Sequence, residues 1–259
     1  MQKRPGGAKT ALIVAAAALV VIGVLLAAFL MTVRGSTRDG ITLPGPLPSA
    51  DPPTAQFSAD DLFASVDRKN VQNVLAVLTR PEAYYQALSV STLWSGGESS
   101  KTVELWRNGE LQRAKLTDSS SVQYLLSNGS EVWIWYEGDE TARQLRPDAS
   151  VSFDDLLGIP TYEMLLELPE QEIREAGFVT LDDLDGASCL YLSTVSGDDA
   201  QEDRYWVDVN TQLLCKADTF SGNSQVYQLR QTEWSALSAE DESLQNLFQL
   251  PNGTKVSTE

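Results

Sequence analysis

Histidine is absent from the 259 residues, cysteine occurs only twice, and 19 Lys and Arg face 36 Asp and Glu. Each shortage excludes something. Without histidine there is no Ser-His or Cys-His pair to activate a nucleophile, and two cysteines cannot complete a four-ligand zinc site. Any catalysis would fall to carboxylates, Lys, Tyr or a cofactor, and nothing approaches a catalytic constellation. The sequence therefore predicts a chain that is not an enzyme and needs no cofactor or metal.

Basic residues are scarce where a polyanion would need them. Residues 1–56 hold five Lys and Arg and two acids, which leaves 14 minus 34, or -20, for the rest of the chain. Nucleic acid is excluded as a partner, because phosphate backbones are bound by clustered Lys and Arg. Docking on anionic lipid headgroups is opposed by the same charge.

What is present begins with ALIVAAAALVVIGVLLAAFLM, residues 11–31, an apolar run without charge. As a helix it is long enough to cross a hydrocarbon core of about 30 Å. Lys3, Arg4 and Lys9 precede it, so the positive-inside rule predicts a cytoplasmic tail at 1–10, a transmembrane helix at 11–33 and all later residues outside. A cleaved signal peptide is the rival reading. Its apolar core is usually about 7 to 15 residues and ends in small residues. Phe29-Leu30-Met31-Thr32 fits that poorly, and an uncleaved anchor is the expectation.

Pro44, Pro46, Pro48, Pro52 and Pro53 then mark residues 34–56 as a tether, semi-extended at about 3 Å per residue. The remaining 57–256 read as one extracytoplasmic domain. Ser58 and Asp61 resemble a capping box, and Leu62, Phe63, Val66, Val74, Leu75 and Leu78 recur at helical spacing, predicting one amphipathic helix that ends before Pro81.

From Tyr84 the apolar period becomes two. Asn108-Gly109 and Asn128-Gly129 each separate two alternating runs and predict type I′ hairpin turns. The sequons at Asn128 and Asn252 are read as turns first. Around Ser152-Phe-Asp-Asp155 and TYEMLLEL one or two short helices interrupt the strands, broken by Pro160 and Pro169. Strands resume at GFVTL, SCLYLSTV, RYWVDV, QLLCKADTF and QVYQLRQTEW. The fold class expected is mainly β (α+β), a curved antiparallel sheet or incomplete barrel of about ten strands, with an N-terminal helix and short covering helices.

The stretch YWVDVNTQLLCKADTFSGNSQVYQLRQTEWSAL, followed by FQLPNGTKV, resembles the lipoprotein-carrier superfamily of LolA, LolB and RseB-like domains. The matching residues are Trp206, Asp208, Thr211, Leu214, Lys216, Phe248, Pro251 and Gly253. The resemblance implies an incomplete antiparallel barrel capped by helices, whose concave face shelters acyl chains or contacts lipoproteins. It differs from the soluble carriers in its tether.

The candidate cavity is built on Trp133 and Trp135 of VWIWY, Val103 and Leu105 of the preceding strands, and Met164 and Leu165 of the covering helix. A hydrophobic ligand or a lipoprotein is the expected partner. A protein-binding regulator or sensor without a lipid ligand is the alternative. The acidic groups are read as solvated surface. Asp182, Asp183 and Asp185 miss the EF-hand register, since Leu192 stands where position twelve requires Glu. Asp154 with Asp155, and Asp198 with Asp199, are adjacent pairs that do not face each other across a substrate.

Cys189 and Cys215 fall on strands two apart in this order, about 9.5 Å from each other. A disulfide needs Cα atoms about 4.4 to 6.8 Å apart, so two reduced, buried thiols are expected unless a bulge, a different strand order or a shifted register intervenes.

Overall fold

A computed structural model describes residues 63, 65–145, 151–196 and 201–258, all within one compact unit. The tail, the apolar run, the tether and the Ser58 capping box lie outside them. Among the described residues no helix is long and apolar enough to cross a membrane.

Between Phe63, which is helical, and the next helix the chain turns. Asp67 Oδ1 accepts from the backbone N–H of Lys69 and Asn70, and Asn70 Oδ1 accepts from that of Asp67. These local bonds compete with a helical backbone, so only α1 (Val71–Leu75) forms in the following turn. The single helix predicted up to Pro81 is thus interrupted.

Among the described residues eleven strands follow: β1 (Ala83–Trp94), β2 (Gly97–Asn108), β3 (Leu111–Thr117), β4 (Val122–Ser127), β5 (Val132–Tyr136) and β6 (Arg143–Leu145), then β7 (Ile173–Leu181), β8 (Ala187–Ser196), β9 (Gln201–Asp208), β10 (Leu213–Ser221) and β11 (Ser224–Ala236). They form one curved antiparallel sheet in the order β6-β5-β4-β3-β2-β1-β11-β10-β9-β8-β7. Each half is a meander, and the halves join where the first strand pairs with the last. The ends of the order, β6 and β7, do not pair, so the sheet is open.

Both Asn-Gly signals sit at hairpins, in a different form from the one expected. Asn108 pairs with Leu111, so Gly109 and Glu110 form the turn, and of these only Gly109 has positive φ, at 61°. That is the φ pattern of type II′. Asn128 opens a four-residue loop, with its Oδ1 accepting from the N–H of Ser130 and Glu131.

Two helices span the gap between β6 and β7: α2 (Phe153–Leu157) and α3 (Tyr162–Leu166). Ser152 and Asp155 cap α2 reciprocally, and Gly158 ends it at φ 61°. Gln72 of α1 donates through Nε2 to the carbonyls of Leu165 and Leu168, satisfying groups left open at the end of α3.

Alternate residues of each strand face opposite ways. One face carries Leu88, Val90, Val103, Leu105, Ala114, Leu125, Val132, Leu190, Val207 and Leu229, packed with Val71, Leu75, Phe153, Leu157 and Leu165 of the helices. The other carries Leu126 and Trp135, covered by Leu244 of α4 (Glu242–Gln245) and by Phe248. There Trp135 stacks on Tyr124 with centroids 5.4 Å apart, and Arg113 lies over both rings and donates to the Leu247 carbonyl.

The residues that carry the family resemblance hold the fold. Asp208 is buried and its Oδ1 accepts from the Asn210 N–H, closing the β9–β10 turn. Lys216 Nζ lies 4.9 Å from the Trp206 ring centre and 2.7 Å from an Asp183 oxygen. Phe248 is 1% exposed, and Gly253 takes φ 83° in the closing loop.

Candidate functional site

The link from α2 to α3 is Gly158, Ile159, Pro160 and Thr161. Pro160 cannot continue a helix, and residues of this link take part in two cavities.

One is a polar cavity of about 380 Å³, whose lining includes Arg80, Arg107, Asp154, Asp155, Glu163 and Glu167. Arg80 lies between two acids: Nη1 is 2.7 Å from Asp154 and Nη2 is 2.6 Å from Glu163. Burial works against its charge, but Asp154, Tyr84 and Glu163 outweigh that and raise its pKa. Burial alone would push the Glu163 carboxyl up, yet the hydrogen bond from Arg80 and its charge hold it below the ordinary value. Asp155 is committed to Ser152, which donates from its N–H and its hydroxyl. These acids are structural partners, and no group of three metal-ligating side chains occurs among the described residues.

The other is a groove of about 370 Å³. Asp155, Gly158, Ile159, Pro160 and Met164 line it from the helices and their link, and Tyr205, Ala217, Thr219 and Tyr227 from the sheet. Cross-strand pairing aligns the sheet residues: Tyr205 with Ala217 across β9–β10, and Thr219 with Tyr227 across β10–β11. The Thr219 hydroxyl donates to Asp203 at 2.6 Å. The Tyr227 hydroxyl is buried and has no partner among the described residues. Burial pushes its pKa up to about 12, and burial, then Asp203 and Tyr227, raise that of Tyr205. Both phenols therefore stay protonated. The groove is a largely apolar slot whose polar lining is neutral hydroxyls and the Ser152-bound Asp155 carboxylate, with no paired nucleophile and base.

The six residues expected to line one cavity do not converge. Val103, Leu105 and Leu165 are at most 2% exposed in the main core. Met164 is 47% exposed and lines both cavities. Trp133 and Trp135 point to the opposite face, where Leu126, Leu244 and Phe248 cover them. The tryptophans need cover, as expected, but receive it from the C-terminal segment and not from α3. Sequence reasoning missed Ile159, Pro160, Tyr205 and Tyr227. The alternation of RYWVDV and QVYQLR put both tyrosines on one face of the sheet, but nothing local identified which face stays partly open.

Solved structures similar to this chain include an uncharacterized conserved protein from Thermus thermophilus, with 10% sequence identity, a TM-score of 0.43, and 68% of this chain and 91% of that one covered. A LolA superfamily protein from Nitrosomonas europaea is similar with 11% identity and a TM-score of 0.31 over 67% of this chain and 95% of that one. MucB in complex with MucA(peri) is similar with 17% identity and a TM-score of 0.39 over 69% of this chain and 59% of that one. No family model and no curated protein matches the chain. Superpositions this loose carry no statement about ligand or partner.

Proposed function

We propose that this chain is a LolA/RseB-like binding module, tethered to the membrane through residues 11–33 and facing the non-cytoplasmic side, whose groove takes the acyl part of a lipid or lipoprotein. One observation carries the reading: the groove of about 370 Å³ between the α2–α3 link and the sheet, walled mainly by Ile159, Pro160, Met164, Tyr205, Ala217 and Tyr227, with Asp155 the one charged residue in its lining. Its volume is in the range of small-molecule sites, roughly 300–1,000 Å³, and an apolar wall with a few polar groups is their usual composition. The net negative surface opposes docking on anionic headgroups, which leaves the chain, not the head, as the part recognised.

The test is native mass spectrometry of the detergent-purified protein, searching for retained lipid, together with titration of an apolar fluorescent probe. A bound lipid-sized mass displaced by the probe is the expected result. No retained lipid, with probe affinity no better than that of an ordinary soluble protein, would discard the lipid reading in favour of a protein-binding regulator.

A further inference from the structure

The chain's two cysteines lie on β8 and β10 with β9 between them, yet their sulfurs are 3.5 Å apart. Both are free, and neither is more than 1% exposed. Strands two apart in a flat sheet are separated by about 9.5 Å, so something local closes the gap. The register of β10 against β9 shifts between Leu214 and Lys216, which leaves Cys215 as the extra residue with no partner on β9. Cys189 stands opposite Asp208, the last residue of β9. The thiols thus meet where the intervening strand ends, beside the Trp206 carbonyl, which lies 3.4 Å from Cys215 Sγ. The strand order expected from sequence holds, and the separation inferred from it does not, because the bulge redirects one side chain.

We propose that Cys189 and Cys215 form a disulfide site: in the presence of a disulfide oxidant they join in an intramolecular bond that staples β8 to β10 across the end of β9. An Sγ–Sγ bond of about 2.05 Å requires the sulfurs to approach by about 1.5 Å. Two S–H bonds break and one S–S bond forms. The two electrons cleave the oxidant's own S–S bond through a mixed disulfide, and the two protons end on its sulfurs, giving two thiols. The hydrogen bond with Cys215, then burial, push the Cys189 thiol up, and only a thiolate attacks. The bond therefore forms as the sheet folds, before the sulfurs are enclosed. The inference does not depend on what the groove binds.

The test uses the full chain in detergent. It is unfolded and reduced, then refolded either with oxidised glutathione or with reduced glutathione alone. Each product is denatured without reductant, alkylated and weighed. The oxidised arm is expected to take no alkyl label and to weigh two hydrogens less, and the reduced arm to take two labels. Folded material from the oxidised arm should melt roughly 5–10 °C higher, as expected for a bond closing a loop of this length. Two labels in the oxidised arm, a lasting glutathione adduct or a cross-linked dimer would each overturn the proposal. Comparing two redox states of one sequence avoids reliance on a variant that fails to fold.

Discussion

Arg80 and Glu163 meet at two points, Nε to Oε1 at 2.9 Å and Nη2 to Oε2 at 2.6 Å. Asp154 holds the remaining arm of the guanidinium, so one residue just before β1 ties down both helices that bound the groove. Replacing Arg80 with Ala leaves two carboxylates facing each other without a cation. Breaking a buried pair costs about 3–5 kcal/mol. Because the Glu163 side chain is 42% exposed, a smaller loss of about 2–3 kcal/mol is expected. Urea unfolding measures it, and an unchanged midpoint would show that Arg80 does not hold the helices.

The same grip gives a pH dependence of definite sign. Glu163 has a folded pKa below its ordinary value of 4.5, so its contribution is fully present above that value and is lost as pH falls through the folded pKa. Stability should decline on acidification from about pH 4.5 downward. Glu163→Gln should flatten that part of the profile, leaving the decline due to the other lowered carboxyls: Asp183 beside Lys216, Glu202 beside Arg204, and Glu98, Asp118, Asp155 and Asp241 beside their serines. Identical slopes for the two proteins would count against the assignment.

Phe248 is 1% exposed beneath the face that carries Trp135. Phe248→Ala should cost about 3–5 kcal/mol, the usual range for emptying a buried aromatic site. Trp133 and Trp135 fluorescence should shift to longer wavelength as their cover loosens. Thermal melting and emission spectra together check this.

Probe binding should separate the two faces of the sheet. Met164→Glu places a charge on the groove wall at an exposed position, so affinity for an apolar probe should fall about tenfold while stability changes by less than about 0.5 kcal/mol. Trp133→Phe acts on the opposite face and should leave affinity unchanged. The reverse ranking would move the site to the tryptophan face.

For topology, a reporter that works only in the cytoplasm, fused after Glu259, should be silent. Activity would place the domain inside and remove the tethered reading.

Features set by neighbours in sequence were legible. The short helices around Ser152-Phe-Asp-Asp155 and TYEMLLEL, the glycine-dependent hairpins and the meander all depend on a few adjacent residues, and the structure has each of them. What sequence could not supply came from distant chain. Periodicity showed that Trp133 and Trp135 share a face, but only the docking of Leu244 and Phe248 decides that this is not the groove face. The helix expected up to Pro81 failed for the opposite reason, a local competition in which Asp67 and Asn70 draw backbone donors into a turn. The meeting of Cys189 and Cys215 depends on a single slipped residue in β10, which no residue pattern announced.

The pairing of β1 with β11 has a kinetic consequence. Both meanders can form from nearby chain, but the seam that unites them joins the start of the domain to its end, a contact of very long sequence separation. Such contacts form slowly, because a large loop must close before any bonding rewards it. Until Ser224–Ala236 is available, the β2 and β10 halves share no strand between them. In the tethered arrangement proposed above, the domain would cross the bilayer with β1 ahead of β11, so the seam could close only after Ser224–Ala236 had crossed, with that strand acting as the fastener.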